Sequence, residues 1–117
     1  MQNYKGSCHC GSIRFSFLAP ELNDGMLCDC SICRKKGAVM TSFTIPPKNL
    51  DIQAEEGLLA SYEFDSKVAK HHFCRKCGIF TFVQTRLNPG EYRINIGCIE
   101  GINPFKLKVE IFDGESI

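Results

Sequence analysis

Seven of the eight cysteines in this 117-residue chain fall into three tight groups, and the fold has to bring the members of each group together. The groups are Cys8 and Cys10, then Cys28, Cys30 and Cys33, and finally Cys74 and Cys77. In a secreted protein such a count predicts a disulfide framework, whereas in a reducing compartment it indicates metal binding or catalysis. The opening residues, MQNYKGSCHCG, lack the apolar segment of an export signal, so we expect a soluble, cytoplasmic protein that binds metal.

Charge and hydrophobicity argue against two classes of partner. The net charge is +1 at pH 7, whereas domains that bind nucleic acid are usually strongly basic, so we expect no nucleic-acid partner. No apolar run approaches the roughly 18 residues that cross a bilayer, so we expect no membrane partner. A chain of this length with 44% hydrophobic and 23% charged residues is typical of one globular domain, which we predict to span residues 1–117.

Apolar and polar residues alternate with a period of two in much of the chain, which is the pattern of half-buried β-strands. Helical periodicity is limited to one or two turns from Ser31 to Lys36, which we expect Gly37 to end. We therefore predict a mainly β domain of seven to nine short strands, with the cysteine groups at strand ends and turns. The predicted strands lie around residues 13–17, 39–45, 50–54, 60–64, 79–84, 92–98 and 105–111.

Two of the cysteine groups together suit a closed metal site. Cys74 and Cys77 have the spacing of a zinc knuckle and are followed by a glycine, and Cys8 and Cys10 form a second pair that is also followed by a glycine. A structural zinc ion takes four protein ligands, so we predict that these four cysteines hold one zinc ion. Such sites in model peptides bind zinc with apparent free energies of roughly 10–16 kcal/mol that are coupled to folding.

The group Cys28, Cys30 and Cys33 lacks an evident fourth ligand. Asp29 lies between two cysteines, so its side chain should point away from a metal that they share, and the same holds for His9 at the other site. We expect Cys98 to be a small buried hydrophobe in a strand, and the adjacent histidines at 71 and 72 to face opposite sides of another. Because catalytic zinc keeps three protein ligands and one open position, we predict an open zinc site here.

Three cationic side chains, Arg34, Lys35 and Lys36, follow this group directly. A zinc ion bound by three thiolates has a formal charge of −1, so cations nearby would offset that charge. They would also attract an anionic substrate, although each of them alone is equally typical of a solvated surface.

Four motifs, in this order along the chain, carry a resemblance to a known family. They are GSCHCGSIRF, CDCSICRKKG, HFCRKCGIF and INIGCIEGINPF. The chain resembles the glutathione-dependent formaldehyde-activating family, which also includes centromere protein V, from Gly6 to about Phe112. The resemblance implies several coiled antiparallel β-sheets around a zinc site, related to the fold of the zinc-bearing methionine sulfoxide reductases.

The resemblance also implies roles for the cysteines. Cys8, Cys10, Cys74 and Cys77 would hold a structural zinc ion, and Cys28, Cys30 and Cys33 a catalytic one that is more labile. The implied reaction adds the thiol of glutathione to formaldehyde and is classed as a carbon–sulfur lyase reaction. The carboxylates of glutathione would then meet Arg34 or Lys35.

Two other hypotheses remain. One is a non-enzymatic binding module that zinc stabilises. The other, a methionine sulfoxide reductase with Cys98 as its nucleophile, is weaker, because nothing around NIGCIEG supplies a base.

Overall fold

The computed structural model describes residues 1–115, which form nine strands, one α-helix and three short 3₁₀ helices. The last two residues of the predicted domain, Ser116 and Ile117, lie outside the described residues. The strands are β1 (Gln2–Ser7), β2 (Ile13–Ala19), β3 (Asp24–Cys28), β4 (Leu50–Ala54), β5 (Leu59–Tyr62), β6 (Lys70–Cys74), β7 (Phe80–Gln84), β8 (Tyr92–Ile94) and β9 (Lys108–Phe112). The helix α1 spans Ser31–Lys36, and the 3₁₀ helices span Pro47–Asn49, Ile96–Cys98 and Pro104–Lys106. None of these helices is long and apolar enough to cross a bilayer.

The strands form three sheets, two of which are antiparallel. One has the order β1-β2-β4 and the other the order β5-β6-β7-β8. The mainly β fold with several antiparallel sheets is thus confirmed. The third sheet differs from the prediction, because β3 and β9 pair in parallel, with Cys28 opposite Phe112. A parallel pair needs a long connection between its strands, and here most of the domain lies between the two.

Alternating aromatic residues on β2 form much of the core. Ile13, Phe15 and Phe17 are buried, as the period of two predicts, while Arg14, which lies between Ile13 and Phe15, is exposed. The ring of Phe15 meets the ring of Phe82, from β7, edge to face at a centroid distance of 5.7 Å. Such aromatic pairs add about 0.5–1.5 kcal/mol beyond the area that they bury. The core therefore joins the two antiparallel sheets, whose loops carry the Cys8–Cys10 and Cys74–Cys77 pairs.

Three predicted strands differ from the observed elements. The predicted strand 105–111 begins only at Lys108, because Phe105 and Lys106 lie in a 3₁₀ helix. The segment 39–45 was expected to be a strand, which is wrong, because it pairs only through isolated bridges at Met40 and Ile45. The predicted strand 92–98 ends at Ile94, because the side chain of Asn95 accepts a hydrogen bond from the Gly97 amide at 3.0 Å and caps a 3₁₀ helix. Cys98 therefore lies in a helical turn and not in a strand.

Candidate metal centres

The first group of cysteines comes from two hairpins that are far apart in sequence. The sulfur atoms of Cys8, Cys10, Cys74 and Cys77 all lie within 4.8 Å of one another. The Cys8–Cys10 distance is 3.7 Å and the Cys10–Cys74 distance is 3.6 Å. A tetrahedral zinc ion with bonds of about 2.3 Å holds its sulfur ligands about 3.8 Å apart. The spacing of these four thiols therefore fits such an ion.

Backbone amides donate hydrogen bonds to the sulfur atoms of this group. The amide of Ile13 donates to the sulfur of Cys8 at 3.3 Å, and the amide of Cys77 donates to the sulfur of Cys74 at 3.4 Å. Gly78 takes a φ of 79°, which turns its amide toward the Cys74 carbonyl at 2.8 Å and closes the turn. Desolvation raises the pKa of Cys77, but hydrogen bonds from backbone amides and neighbouring thiols outweigh it and bring that pKa to about 6.

The second group is formed by the end of a strand and the start of a helix. Cys28 is the last residue of β3, Cys30 caps α1, and Cys33 lies within α1. The helix ends where Gly37, at a φ of 64°, donates its amide to the Cys33 carbonyl at 3.0 Å. The three sulfur atoms lie within 4.8 Å of one another. In residues 1–115, no histidine, carboxylate or further thiol joins them at that distance.

The acidic and thiol candidates for a fourth ligand lie elsewhere. Asp29 turns away from the sulfur atoms, and its carboxylate accepts a hydrogen bond from the Glu115 amide at 2.9 Å. His9 is exposed. Cys98 lies beside the four-thiol group. Its pKa is raised to about 11, mainly by burial and to a smaller extent by the nearby charges of Cys8 and Cys77.

The two neighbouring histidines on β6 pack against aromatic rings. His72 is half-buried, and its Nε2 lies 2.9 Å from the side-chain oxygen of Gln84. His71 is buried, stacks on Phe64 with a centroid distance of 5.9 Å, and places its Nδ1 2.9 Å from the Nζ of Lys36. Burial, and then the charge of Lys36, lowers the pKa of His71 to about 4. Packing is thus the observed role of both rings.

The three thiols open onto a cavity of about 420 Å³. Apolar side chains, four cations and two carboxylates all contribute to its lining. The apolar side chains include Met26, Met40, Phe64, Val83, Leu87 and Phe112, and the charged ones are Arg34, Lys36, Arg86, Arg93, Asp65 and Glu115. This combination suits a small molecule that carries a negative charge and an apolar portion.

The three consecutive cations separate in space. Arg34 and Lys36 line the cavity, while Lys35 is exposed and lies outside its lining. The Nζ of Lys36 lies 3.6 Å from the centroid of the Phe80 ring, and burial lowers the pKa of this lysine. Burial also raises the pKa of Cys33 to about 12, against the opposing charge of Lys36.

The end of the chain covers the second group, which no motif in the sequence predicted. Gly114 lies so close to Cys28 that a Cβ atom at position 114 would collide with its sulfur. The parallel pairing of β9 with β3 causes this approach, because it sets Phe112 beside Cys28 and carries the next residues across the thiols. Arg93 and Glu115 reach the cavity through similar long-range pairing, so no local pattern identifies them.

Comparisons with known proteins identify the family of the chain. A family model described as glutathione-dependent formaldehyde-activating enzyme matches residues 3–115. A Halomonas elongata protein, provisionally named a glutathione-dependent formaldehyde-activating enzyme, is 33% identical over an alignment of 79 residues, and the match covers 62% of this chain and 50% of that protein. The chain therefore spans about half the length of this curated relative. The crystal structure of a Rhodobacter sphaeroides protein matches with a TM-score of 0.84 and 40% identity, over 92% of this chain and 99% of that one.

Proposed function

Since the chain belongs to the glutathione-dependent formaldehyde-activating enzyme family, we propose that it joins a small thiol such as glutathione to formaldehyde or another small aldehyde. The product is an S-hydroxyalkyl thioether, and cleavage of the same carbon–sulfur bond in the reverse direction makes the enzyme a carbon–sulfur lyase. The observation that carries this proposal is the group of three sulfur atoms that opens onto a charged cavity.

The two cysteine groups take different roles in this proposal. Cys8, Cys10, Cys74 and Cys77 hold a structural zinc ion, which ties two hairpins of the core together. Cys28, Cys30 and Cys33 hold a second zinc ion beside the cavity. Zinc held in this way lowers the pKa of a thiol or polarises an aldehyde oxygen.

The surrounding side chains bind and orient the substrates. Arg34 attracts a carboxylate of the thiol substrate; Lys35, which is exposed outside the cavity, is not needed for this contact. The apolar side chains of the lining, such as Phe64 and Phe112, limit the water around the reacting atoms. The segment that contains Gly114 covers Cys28 and limits the space for bulky aldehydes.

The exchange of ¹³C-formaldehyde with S-hydroxymethylglutathione, followed by NMR, tests the proposal directly. We expect the zinc-loaded protein to accelerate the exchange and Cys30→Ser to abolish the acceleration. Cys98→Ser is the matched control, because it also removes a half-buried thiol but leaves both groups complete. A folded protein with one zinc ion, no thiol binding and no acceleration would instead favour a non-enzymatic zinc-stabilised module.

A further inference from the structure

We propose that the ammonium group of Lys36 is the hydrogen-bond donor that stabilises the negative oxygen formed when the thiol adds to the aldehyde. This inference rests on the proposed function and adds a catalytic residue to it. Three features of the structure support it: the placement of Lys36 relative to the thiols, the fixed position of its nitrogen, and the desolvation of its charge.

The helix α1 places Lys36 on the side of the thiols. Residues three apart on a helix share a face, so Lys36 and Cys33 point to the same side. Both line the cavity together with Cys28 and Cys30. The adjacent Lys35 points to solvent. The position of Lys36 in the helix therefore places it, and not Lys35, next to the candidate reaction site. Lys35 is a lysine outside the site and so provides a matched control for substitutions of Lys36.

Two aromatic neighbours fix the nitrogen of Lys36. It donates to His71 Nδ1 at 2.9 Å and lies 3.6 Å from the centroid of Phe80. Because Nδ1 accepts this bond, the proton of the neutral His71 ring lies on Nε2, which is buried and without a partner among the described residues. An ammonium group has three donors, and the contact with His71 uses one of them. The face of the Phe80 ring engages another, which leaves one donor for an acceptor in the cavity that Lys36 lines.

The partial burial of this charge is hard to explain by packing alone. A desolvated ammonium lowers stability unless a charge or a hydrogen bond compensates it, and a methionine would fill the same space. The thiols at Cys28, Cys30 and Cys33, which lie beside the same cavity, would supply compensating charge once they are ionised as ligands of a zinc ion. A donor held in a fixed position beside the reacting atoms is the arrangement that best stabilises a developing oxyanion.

The step that Lys36 assists balances without an oxidant or reductant. The sulfur of the ionised thiol forms a bond to the aldehyde carbon, and the π electron pair of the carbonyl moves to the oxygen. Lys36 donates a hydrogen bond to this oxygen and stays protonated throughout. The proton that the thiol released reaches the oxygen through water, so one thiol and one aldehyde yield one hydroxyalkyl thioether.

The test compares Lys36→Met with Lys35→Met, using protein with its full zinc content verified by elemental analysis. For Lys36→Met we expect the rate of exchange per zinc-loaded site to fall by about 100-fold, the usual effect of losing one oxyanion donor. Its affinity for glutathione should change by less than about threefold, because the carboxylates of the thiol are bound elsewhere. Lys35→Met should match the wild type in both measurements.

A second measurement does not depend on turnover. S-carboxymethylglutathione has a permanent anionic oxygen near the reacting carbon, and S-methylglutathione lacks it. The wild type should prefer the first ligand, and Lys36→Met should reduce that preference by about tenfold.

Each result counts for or against a specific statement. If the wild type does not accelerate the exchange, the proposed function fails. If the wild type is active and Lys36→Met retains both its rate and its ligand preference, the role of Lys36 is excluded while the proposed function stands. A loss of zinc without any change in the rate per loaded site would assign Lys36 to metal binding instead and overturn the inference.

Discussion

Gly114 lies directly against the sulfur of Cys28, where no larger residue fits. Gly114→Ala should therefore displace Cys28 and weaken the second metal site, while the core and the four-thiol group remain unchanged. Elemental analysis of the purified variant should show about one zinc ion fewer per chain than the wild type. Gly97→Ala is the control, because a Cβ there would approach only the side chain of Asn95. Full zinc content in Gly114→Ala would mean that the end of the chain does not confine Cys28.

The two cysteine groups should differ in their effect on folding. Cys74 is fully buried and belongs to the group that joins two hairpins, so Cys74→Ser should lower the free energy of unfolding by several kcal/mol. Cys30 is half-buried at the start of a short helix, so Cys30→Ser should stay folded and bind at most one zinc ion. Thermal unfolding of both variants, compared with the wild type, measures this difference in stability. A stable Cys74→Ser beside an unfolded Cys30→Ser would reverse the two assignments.

Features that depend on neighbouring residues in sequence were predictable for this chain. The alternation of Ile13, Phe15 and Phe17 identifies β2, and the helix from Ser31 to Lys36 ends at Gly37 as expected. Cysteine spacing likewise identified both groups of thiols that the fold brings together.

Features that depend on distant parts of the chain were not predictable. The strand β3 was not among the predicted strands. It contains Gly25, a residue without a side chain that lets Val39 and Ile96 pack close to the backbone. The contact between Lys36 and His71 joins residues that are 35 positions apart. The cavity depends on the parallel pairing of β3 with β9, for which no local signal exists.

The two zinc ions should differ in how easily a chelator removes them. The four-thiol group offers a metal ion four ligands, whereas the three-thiol group offers three and would leave one position to solvent or substrate. Graded chelation followed by elemental analysis should remove one ion under mild conditions and the other only as the protein unfolds. Two ions that leave together would contradict an open second site.

His71 should make stability depend on pH between about 4 and 6.5. Its pKa is about 4 in the folded protein, below the ordinary value of 6.5, so the unfolded chain binds more protons in this window. The neutral His71 ring therefore contributes to the free energy of unfolding. This contribution is fully present above about pH 6.5 and is lost as the pH falls toward 4. Between pH 7 and pH 5 the loss is about 2 kcal/mol.

The measurement is urea unfolding of the wild type and His71→Phe at both pH values. The variant keeps an aromatic ring but cannot titrate, and the thiols contribute equally to both proteins. The difference in free energy of unfolding between wild type and His71→Phe should therefore change between pH 7 and pH 5 by the loss expected for His71. An unchanged difference would show that this ring is not buried in its neutral form.

Binding of glutathione should depend on Arg34 and not on Lys35. Glutathione has two carboxylates and one ammonium, so its net charge is −1 before its thiol ionises. Arg34 lines the cavity beside the thiols, while Lys35 is exposed outside it. We expect Arg34→Ala to weaken binding to the zinc-loaded protein by several-fold, with a reduced dependence on salt, and Lys35→Ala to have little effect.

Titration calorimetry with glutathione and with cysteamine, which has a thiol but no carboxylate, separates charge recognition from thiol recognition. The wild type should bind cysteamine more weakly than glutathione, because the cation at Arg34 then has no carboxylate to attract. Arg34→Ala should bring the two affinities closer together, since it removes the group that distinguishes these ligands. Equal affinity of the wild type for both thiols, independent of salt, would show that Arg34 plays no part in recognition.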